Sequence, residues 1–194
     1  MRRHDIKHPI RAFLICGLIL SGCVGATGVG SVSSKSVLQG GFTVAAPTGY
    51  CLDAKASRET DNSGIFLIGR CFAQSPTAPA LISVAVGAPA SAGVMTAGGA
   101  ELAAFFTSVE GRATLSAKGQ PGSVRVLEAL SVGDVFVMRL QERGDPEYWR
   151  AVMGLRGRLV SVSVKDAGDG TLSQETGRKV LDRAIAALQR ANRV

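Results

Sequence analysis

The side chains best suited to covalent chemistry in this 194-residue chain are its four cysteines, and they fall into two groups. Cys16 and Cys23 lie near the N-terminus, while Cys51 and Cys71 lie further along the chain. A cysteine thiol can act as a nucleophile, a metal ligand, an acyl acceptor or one half of a disulfide bond. Which chemistry applies depends on the compartment and on neighbouring groups, so the segment around each cysteine decides it.

Residues 1–22 have the pattern of a secretory signal, with basic residues first, an apolar run over residues 12–20 and small residues before Cys23. The apolar run is about half as long as a bilayer-spanning helix requires. The segment ends in Leu20-Ser21-Gly22-Cys23. This tetrapeptide resembles the lipobox of bacterial lipoproteins, in which leucine, a small residue and glycine or alanine precede the cysteine. An uncleaved signal or a weak transmembrane anchor is the alternative.

The lipoprotein resemblance implies that the Cys23 thiol receives a diacylglycerol, that the chain is cleaved before Cys23, and that the new amine is acylated. Several acyl chains hold a protein firmly on a membrane, since each buried CH₂ group contributes about 0.8 kcal/mol. Val24 stands where an aspartate usually signals retention in the inner membrane. The resemblance therefore implies a lipid anchor in the outer membrane, with the protein facing the periplasm.

Removal of residues 1–22 would leave a chain without histidine, because His4 and His8 both lie in that segment. A Ser-His-Asp or Cys-His catalytic site would then be impossible. The segment also holds four of the 22 Lys and Arg residues and one of the 15 Asp and Glu residues, so the net charge would fall from +7 to +4. This scattered charge does not predict nucleic-acid binding. We expect a non-enzymatic protein with no cofactor and no metal site.

Cys51 and Cys71 remain as an even pair in an oxidising compartment, which favours a disulfide bond. Such a bond would close a loop of about 20 residues and contribute about 3 kcal/mol on the chain-entropy account. A metal site and a redox-active pair are the alternatives, although zinc would find two thiols and no histidine. Residues 166–170 resemble a calcium-binding loop but lack its final bidentate glutamate.

The chain divides into a signal over residues 1–22, a lipidated Gly/Ser-rich tether over residues 23–40, and one domain over residues 41–194. Apolar runs bounded by turn residues predict strands at residues 42–46, 50–52, 65–71, 80–86, 124–130, 135–142, 148–155 and 159–164. Short turns make the last four strands antiparallel. Loops are predicted at residues 55–63, 87–99 and 111–122, the last with a short strand at 113–117.

Two helices are predicted, at residues 100–109 and 173–191. The first has one apolar face, formed by Leu102, Phe105, Phe106 and Val109. The second has an apolar stripe and a hydroxyl N-cap, formed by Leu181, Ala184, Ile185 and Leu188 with Thr171 or Ser173. A mostly antiparallel sheet with one short helix and one long C-terminal helix is an α+β fold.

The order of elements over about residues 41–192 resembles the PsbP-like fold, an α/β/α sandwich found in photosystem accessory proteins and in small bacterial lipoproteins. The resemblance implies an accessory or binding role without catalysis, and it assigns a function to no residue of this chain.

Tryptophan, tyrosine and arginine are enriched at the centres of binding surfaces. The candidate partner-binding residues are therefore Tyr148, Trp149, Arg150, Arg156 and Arg158. The alternative is that Trp149 packs in the core and that the arginines form a solvated strand face. Two functions follow. The protein binds or supports an envelope protein or peptidoglycan through an apolar patch on the sheet, or it binds a small or acidic ligand in an arginine-lined pocket between sheet and helix.

Overall fold

A computed structural model describes residues 32–168 and 170–193, so the lipobox, Cys23 and the first part of the tether lie outside the described residues. The described chain forms nine strands and three α-helices: β1 Ser34–Val37, β2 Phe42–Ala45, β3 Tyr50–Glu59, β4 Gly64–Arg70, β5 Ala80–Val86, α1 Gly99–Thr107, α2 Val109–Leu115, β6 Val124–Val132, β7 Val135–Glu142, β8 Tyr148–Leu155, β9 Arg158–Asp166 and α3 Gln174–Ala191. The predicted α+β fold with a long C-terminal helix is confirmed.

Seven of these strands form one antiparallel sheet in the order β3-β4-β5-β9-β8-β7-β6. β1 and β2 form a separate two-stranded sheet. Because β5 pairs with β9, the C-terminal strand joins the N-terminal strands to the meander β6–β8. No helix in the described residues is both long and apolar enough to cross a bilayer.

One side of the large sheet, here called the α3 face, packs against α3 and the β1–β2 hairpin. Its core takes alternate residues from the strands, such as Ile82 on β5, Val137 on β7 and Val162 on β9. Seven residues of α3 are buried, including the predicted stripe Leu181, Ala184, Ile185 and Leu188. Ser173 caps α3 as predicted, since its hydroxyl accepts the backbone N–H of Thr176 at 3.2 Å.

The opposite side, here called the α1 face, packs against α1 and α2. A second core cluster joins Leu102, Phe106 and Leu115 of these helices to residues of the meander. Phe106 stacks on Phe136 of β7 with ring centroids 5.6 Å apart. β7 therefore buries consecutive residues on both sides of the sheet, which accounts for its uninterrupted apolar run.

Two segments predicted as tether and loop are strands. β1 lies within the stretch assigned to the tether, so that assignment extends too far, because Val37 and Leu38 are drawn into the core. Residues 55–59 belong to β3 rather than to a loop. Their polarity reflects an edge strand with a bulge between Asp53 and Arg58, where most side chains meet solvent.

The region between β5 and β6 is also more regular than predicted. Ser91–Ala97 is a 3₁₀ helix where a loop is expected, and Val109–Leu115 is helix α2 where a loop with a short strand is expected. Ser108 ends α1 and caps α2 by accepting the N–H of Gly111 at 3.0 Å. The helix break changes the predicted apolar face: Leu102 and Phe106 are buried, whereas Phe105 and Val109 are exposed.

Candidate functional site

The predicted disulfide bond between Cys51 and Cys71 is present. Cys51 lies on β3 opposite Gly69 of β4, and Cys71 directly follows β4. The bond therefore joins the edge strand of the sheet to its neighbour. Neither thiol is left free for metal binding or for nucleophilic chemistry.

Tyr148 and Trp149, the aromatic members of the candidate binding set, are both buried on β8, on opposite sides of the sheet. Trp149 lies on the α3 face, where its Nε1 donates to the Gln174 carbonyl oxygen at 2.9 Å. Arg139 and Arg178 lie over its ring at 6.0 and 5.2 Å. The tryptophan therefore fixes the start of α3 against the sheet.

The three arginines of the set also lie in different places. Arg150 is half-buried on the α1 face, and its Nε donates to Ser163 Oγ at 2.8 Å. Arg158 is buried and donates to the carbonyl oxygens of Asn62 and Gly87 at 2.6 and 2.9 Å. Arg156 is exposed, with φ of 50°, in the turn between β8 and β9. The five candidate residues do not share one exposed surface, because alternation along β8 places neighbouring residues on opposite faces.

A different surface is left exposed on the α1 face. α1 and α2 cover the meander half of that face, whereas the described residues place no α-helix over the half formed by β4, β5 and part of β9. We call this the open sheet face and define it by six side chains that are exposed or half-buried: Ile65, Leu67, Leu81, Ser83, Ala85 and Ser161.

Strand register places these side chains in rows across the sheet. Ile65 pairs with Ala85, which pairs with Ser161. Leu67 pairs with Ser83 in the next row. Ile65 and Leu81 are 54% and 40% exposed, which is unusual for branched aliphatic residues in neighbouring strands of the same sheet.

The rows of the open sheet face end in a groove of about 420 Å³. Ile65, Ala85 and Ser161 line its floor, and Arg58 and Glu59 of β3 stand beside them. Arg58 is exposed and donates to the carbonyl oxygens of Lys55 and Ser57 rather than to a carboxylate. No ion pair involves Arg58 or Lys55 within residues 32–168 and 170–193, but β3 also carries Asp53 and Glu59, so its four charged side chains balance.

The far border of the open sheet face carries Lys165, whose charge is already balanced. Its Nζ lies 3.0 Å from Asp145 Oδ2 and 3.7 Å from Glu142 Oε2. The same ammonium lies 4.4 Å from the centroid of the Tyr148 ring.

In the loop over residues 166–170, which resembles a calcium-binding loop in sequence, the Asp166 carboxylate accepts backbone hydrogen bonds. Asp166 Oδ1 accepts the N–H groups of Gly168 and Gly170, and Oδ2 accepts that of Leu172. In the part of the chain that the structure describes, no three His, Cys, Asp or Glu side chains are grouped as metal ligands would be. Asp169 lies outside the described residues.

The sequence does contain a signal for the open sheet face. In β5, large residues on the α3 face alternate with Leu81, Ser83 and Ala85 on the other, so two of the three second-face residues are small. The sequence pattern of this strand predicts only that it is apolar. This pattern alone does not distinguish an exposed face of β5 from one that is covered by a helix, because it does not show which strands α1 and α2 cover.

Comparison with known proteins gives structural similarities but no family. No family model matches the sequence, and no curated protein does. The fold is similar to the solution structure of the cyanobacterial PsbP protein (CyanoP) of Synechocystis sp. PCC 6803, with a TM-score of 0.46 and 15% identity, over 87% of this chain and 96% of that one.

Proposed function

We propose that this protein is a non-enzymatic, lipid-anchored protein of the cell envelope that binds a protein partner through its open sheet face. The observation that carries the proposal is the exposure of Ile65 and Leu81, at 54% and 40%, on a half-sheet that no α-helix of residues 32–168 and 170–193 covers. Contiguous exposed apolar surface on a stable domain commonly marks an interaction site. A protein is favoured over peptidoglycan because three of the six side chains of the face, Ile65, Leu67 and Leu81, are large and aliphatic.

The location in this proposal rests on Leu20-Ser21-Gly22-Cys23, with Cys23 acylated and the domain facing the periplasm from the outer membrane. The Cys51–Cys71 bond supports an oxidising compartment, since structural disulfides persist there and are rare in the cytosol. Processing at Cys23 is tested separately by the mass of the mature protein and by Cys23→Ala, which should release the chain from membranes.

A second candidate is binding of a small ligand in the groove beside Ile65 and Arg58. The groove volume of about 420 Å³ supports it. The arginines expected to line such a pocket are engaged elsewhere, because Arg150 bonds to Ser163 and Arg158 to two backbone carbonyls. We therefore place it second.

The partner proposal is tested by quantitative purification of the full-length protein from crosslinked envelopes. The test variant carries Ile65→Asp and Leu81→Asp, and the matched control carries Val132→Asp, which changes a residue 49% exposed at the opposite edge of the sheet. We expect a protein enriched by the wild type and the control and lost from the test variant. Equal recovery by all three, or recovery of glycan alone, would contradict the proposal.

A further inference from the structure

Four basic side chains lie together on the outer surface that α3 and the β1–β2 hairpin form over the sheet. They are Lys35 on β1, Arg70 at the end of β4, and Arg183 and Arg190 on α3. Arg70 is half-buried and the other three are exposed. None of the four forms an ion pair within residues 32–168 and 170–193. We call this group the basic surface.

One buried tyrosine brings two members of the basic surface together. Tyr50 pairs with Arg70 in the β3–β4 ladder, and its side chain belongs to the core of the α3 face. Burial raises the pKa of Tyr50, and the Arg183 and Arg70 guanidinium groups oppose this shift, so both cations lie near the phenol. Arg70 of the sheet and Arg183 of α3 are therefore neighbours.

The other two members lie where the hairpin packs against the end of α3. Asn192 donates its Nδ2 to the Thr43 carbonyl oxygen and accepts the Thr43 N–H at Oδ1, at 2.8 and 2.9 Å. Arg190 lies two residues before this contact on the helix. Thr43 pairs with Ser36, which follows Lys35 on β1. The basic surface therefore extends from the end of α3 onto the hairpin.

The carboxylates around the basic surface are paired or lie on another side of the domain. Asp182 binds Arg178 at 3.0 Å, on the flank of α3 that lies over β7. Asp53 belongs by register to the open sheet face, on the opposite side of the sheet. Glu59 accepts the Leu38 N–H at 3.2 Å, at the tip of the hairpin. None of these groups neutralises the four cations.

The net charge of the domain is concentrated in the same place. The basic surface lies on residues 33–52, 70–80 and 183–192, which contain four basic residues and no acidic one. The rest of residues 23–194 contains 14 Lys and Arg residues against 14 Asp and Glu residues. The net charge of +4 that remains after removal of residues 1–22 therefore belongs to this surface.

The chain enters the domain beside the basic surface. The Val32 carbonyl oxygen accepts the N–H of Leu52 at 2.8 Å, which fixes the entry point, and Lys35 follows three residues later. Val32 lies nine residues after Cys23, and a chain of that length reaches at most about 32 Å. A lipid on Cys23 would therefore hold the basic surface close to the membrane.

We infer that the basic surface binds the anionic headgroups of phospholipids in the membrane that holds the lipid anchor. The inference rests on the lipid anchor of the proposed function and adds the orientation of the domain to it. Each Lys or Arg held near an anionic bilayer adds to the attraction, and the tether keeps all four within reach. Because the open sheet face lies on the opposite side of the sheet, this contact directs it away from the bilayer.

The experiment measures how closely the basic surface approaches lipid headgroups. The full-length protein, acylated at Cys23, is placed in vesicles of phosphatidylcholine alone or with about 30% phosphatidylglycerol, both with a quencher on the headgroups. A fluorophore is attached to Ser36→Cys beside the basic surface, or to Ile65→Cys on the open sheet face. We expect about threefold more quenching at position 36 in the anionic vesicles, and little quenching at position 65 in either.

Arg183→Glu combined with Arg190→Glu tests the charge of the surface. Arg125→Glu combined with Arg156→Glu is the matched control, because it changes the net charge equally at two exposed arginines elsewhere. We expect the first pair to abolish the difference between the two kinds of vesicle and the control pair to keep it. About 0.5 M salt should also abolish the difference in the wild type, because the screening length falls to about 4 Å.

The outcomes separate this inference from the proposed function. Equal quenching at position 36 in the two kinds of vesicle would overturn the inference and leave an acidic protein as the partner of the basic surface. Loss of the difference in both pairs of variants would also overturn it, since net charge and not this surface would then be responsible. Failure of the wild type to stay with either kind of vesicle would contradict the lipid anchor, and the inference with it.

Discussion

The two halves of the α1 face belong to one sheet, but one half is buried and the other is exposed to solvent. Over the meander, Phe136, Met138 and Leu140 of β7 are buried under α1 and α2. Over β4 and β5, the corresponding positions hold Ile65, Leu81 and Ser83, which remain exposed or half-buried. The α3 face of both halves is packed. The open half is therefore stabilised by packing on its α3 face, so the residues exposed on its α1 face contribute little to stability.

The largest predicted effect is a difference between the two halves in how much a mutation lowers the free energy of unfolding. Phe136→Ala removes a ring that is 1% exposed and stacked on Phe106, so we expect a loss of about 3–5 kcal/mol. Ile65→Ala, the matched change on the open half, should cost under about 1 kcal/mol because the side chain is already half in water. Urea unfolding of both variants measures the difference. A similar cost for the two would mean that the open face is packed.

The next effect concerns how the open half is held together. Replacing both Cys51 and Cys71 with alanine removes the bond between β3 and β4, and we expect a loss of about 3 kcal/mol. Reduction of the wild type before unfolding should give the same loss, and the double variant should not respond to reductant. A reductant effect on the double variant would show that another thiol is responsible.

A smaller effect tests the arginine that ties the start of β9 to the β3–β4 turn and to the end of β5. Arg158 begins β9 and bonds to the β3–β4 turn at Asn62 and to Gly87 after β5. Arg158→Ala leaves two carbonyl oxygens without this donor, so we expect a loss of about 2 kcal/mol. Arg156→Ala, in the adjacent exposed turn, should change stability by less than about 0.5 kcal/mol. Equal losses of stability in the two variants would mean that the hydrogen bonds of Arg158 contribute nothing to stability.

The smallest effect is a pH dependence of stability, and it arises from a tyrosine buried on the α3 side of the open half. Burial raises the pKa of Tyr50 above its ordinary value of 10.0, and Arg183 and Arg70 partly oppose this shift. The unfolded chain therefore loses its phenol proton first, so stability should fall as the pH rises above about 10. Tyr50→Phe should weaken this fall and cost about 1 kcal/mol through the lost bond to the Ala78 carbonyl. An unchanged alkaline slope would contradict the assignment to Tyr50.

Sequence patterns located the meander well because its signals are local. β8 and β7 match the predicted ranges, and glycine turns such as Arg156-Gly157, both at positive φ, mark the strand ends. The same patterns missed α2, because Arg112 to Leu115 show no clear apolar helical face. Whether the chain forms one long helix or breaks at the Ser108 cap into two depends on tertiary packing.

The candidate site was predicted less well, for a physical reason. Tyr148 to Arg158 carry the residue types of binding surfaces, but burial decides whether such residues are available, and burial depends on contacts distant in the chain. Leu115, for example, accepts a bond from Arg150, 35 residues away. The uncovered half-sheet is likewise defined by where α1 and α2 lie, which periodicity in β4 and β5 does not encode.

The central claim, that the open sheet face is occupied in the envelope, is tested most directly by the reactivity of a thiol placed there. Ile65→Cys and the control Val132→Cys are alkylated with a soluble maleimide, first in intact envelopes and then as purified full-length protein. Occupancy predicts that Ile65→Cys reacts at least about tenfold more slowly in the envelope, while Val132→Cys reacts equally in both. Equal rates for Ile65→Cys in the two preparations would contradict the account.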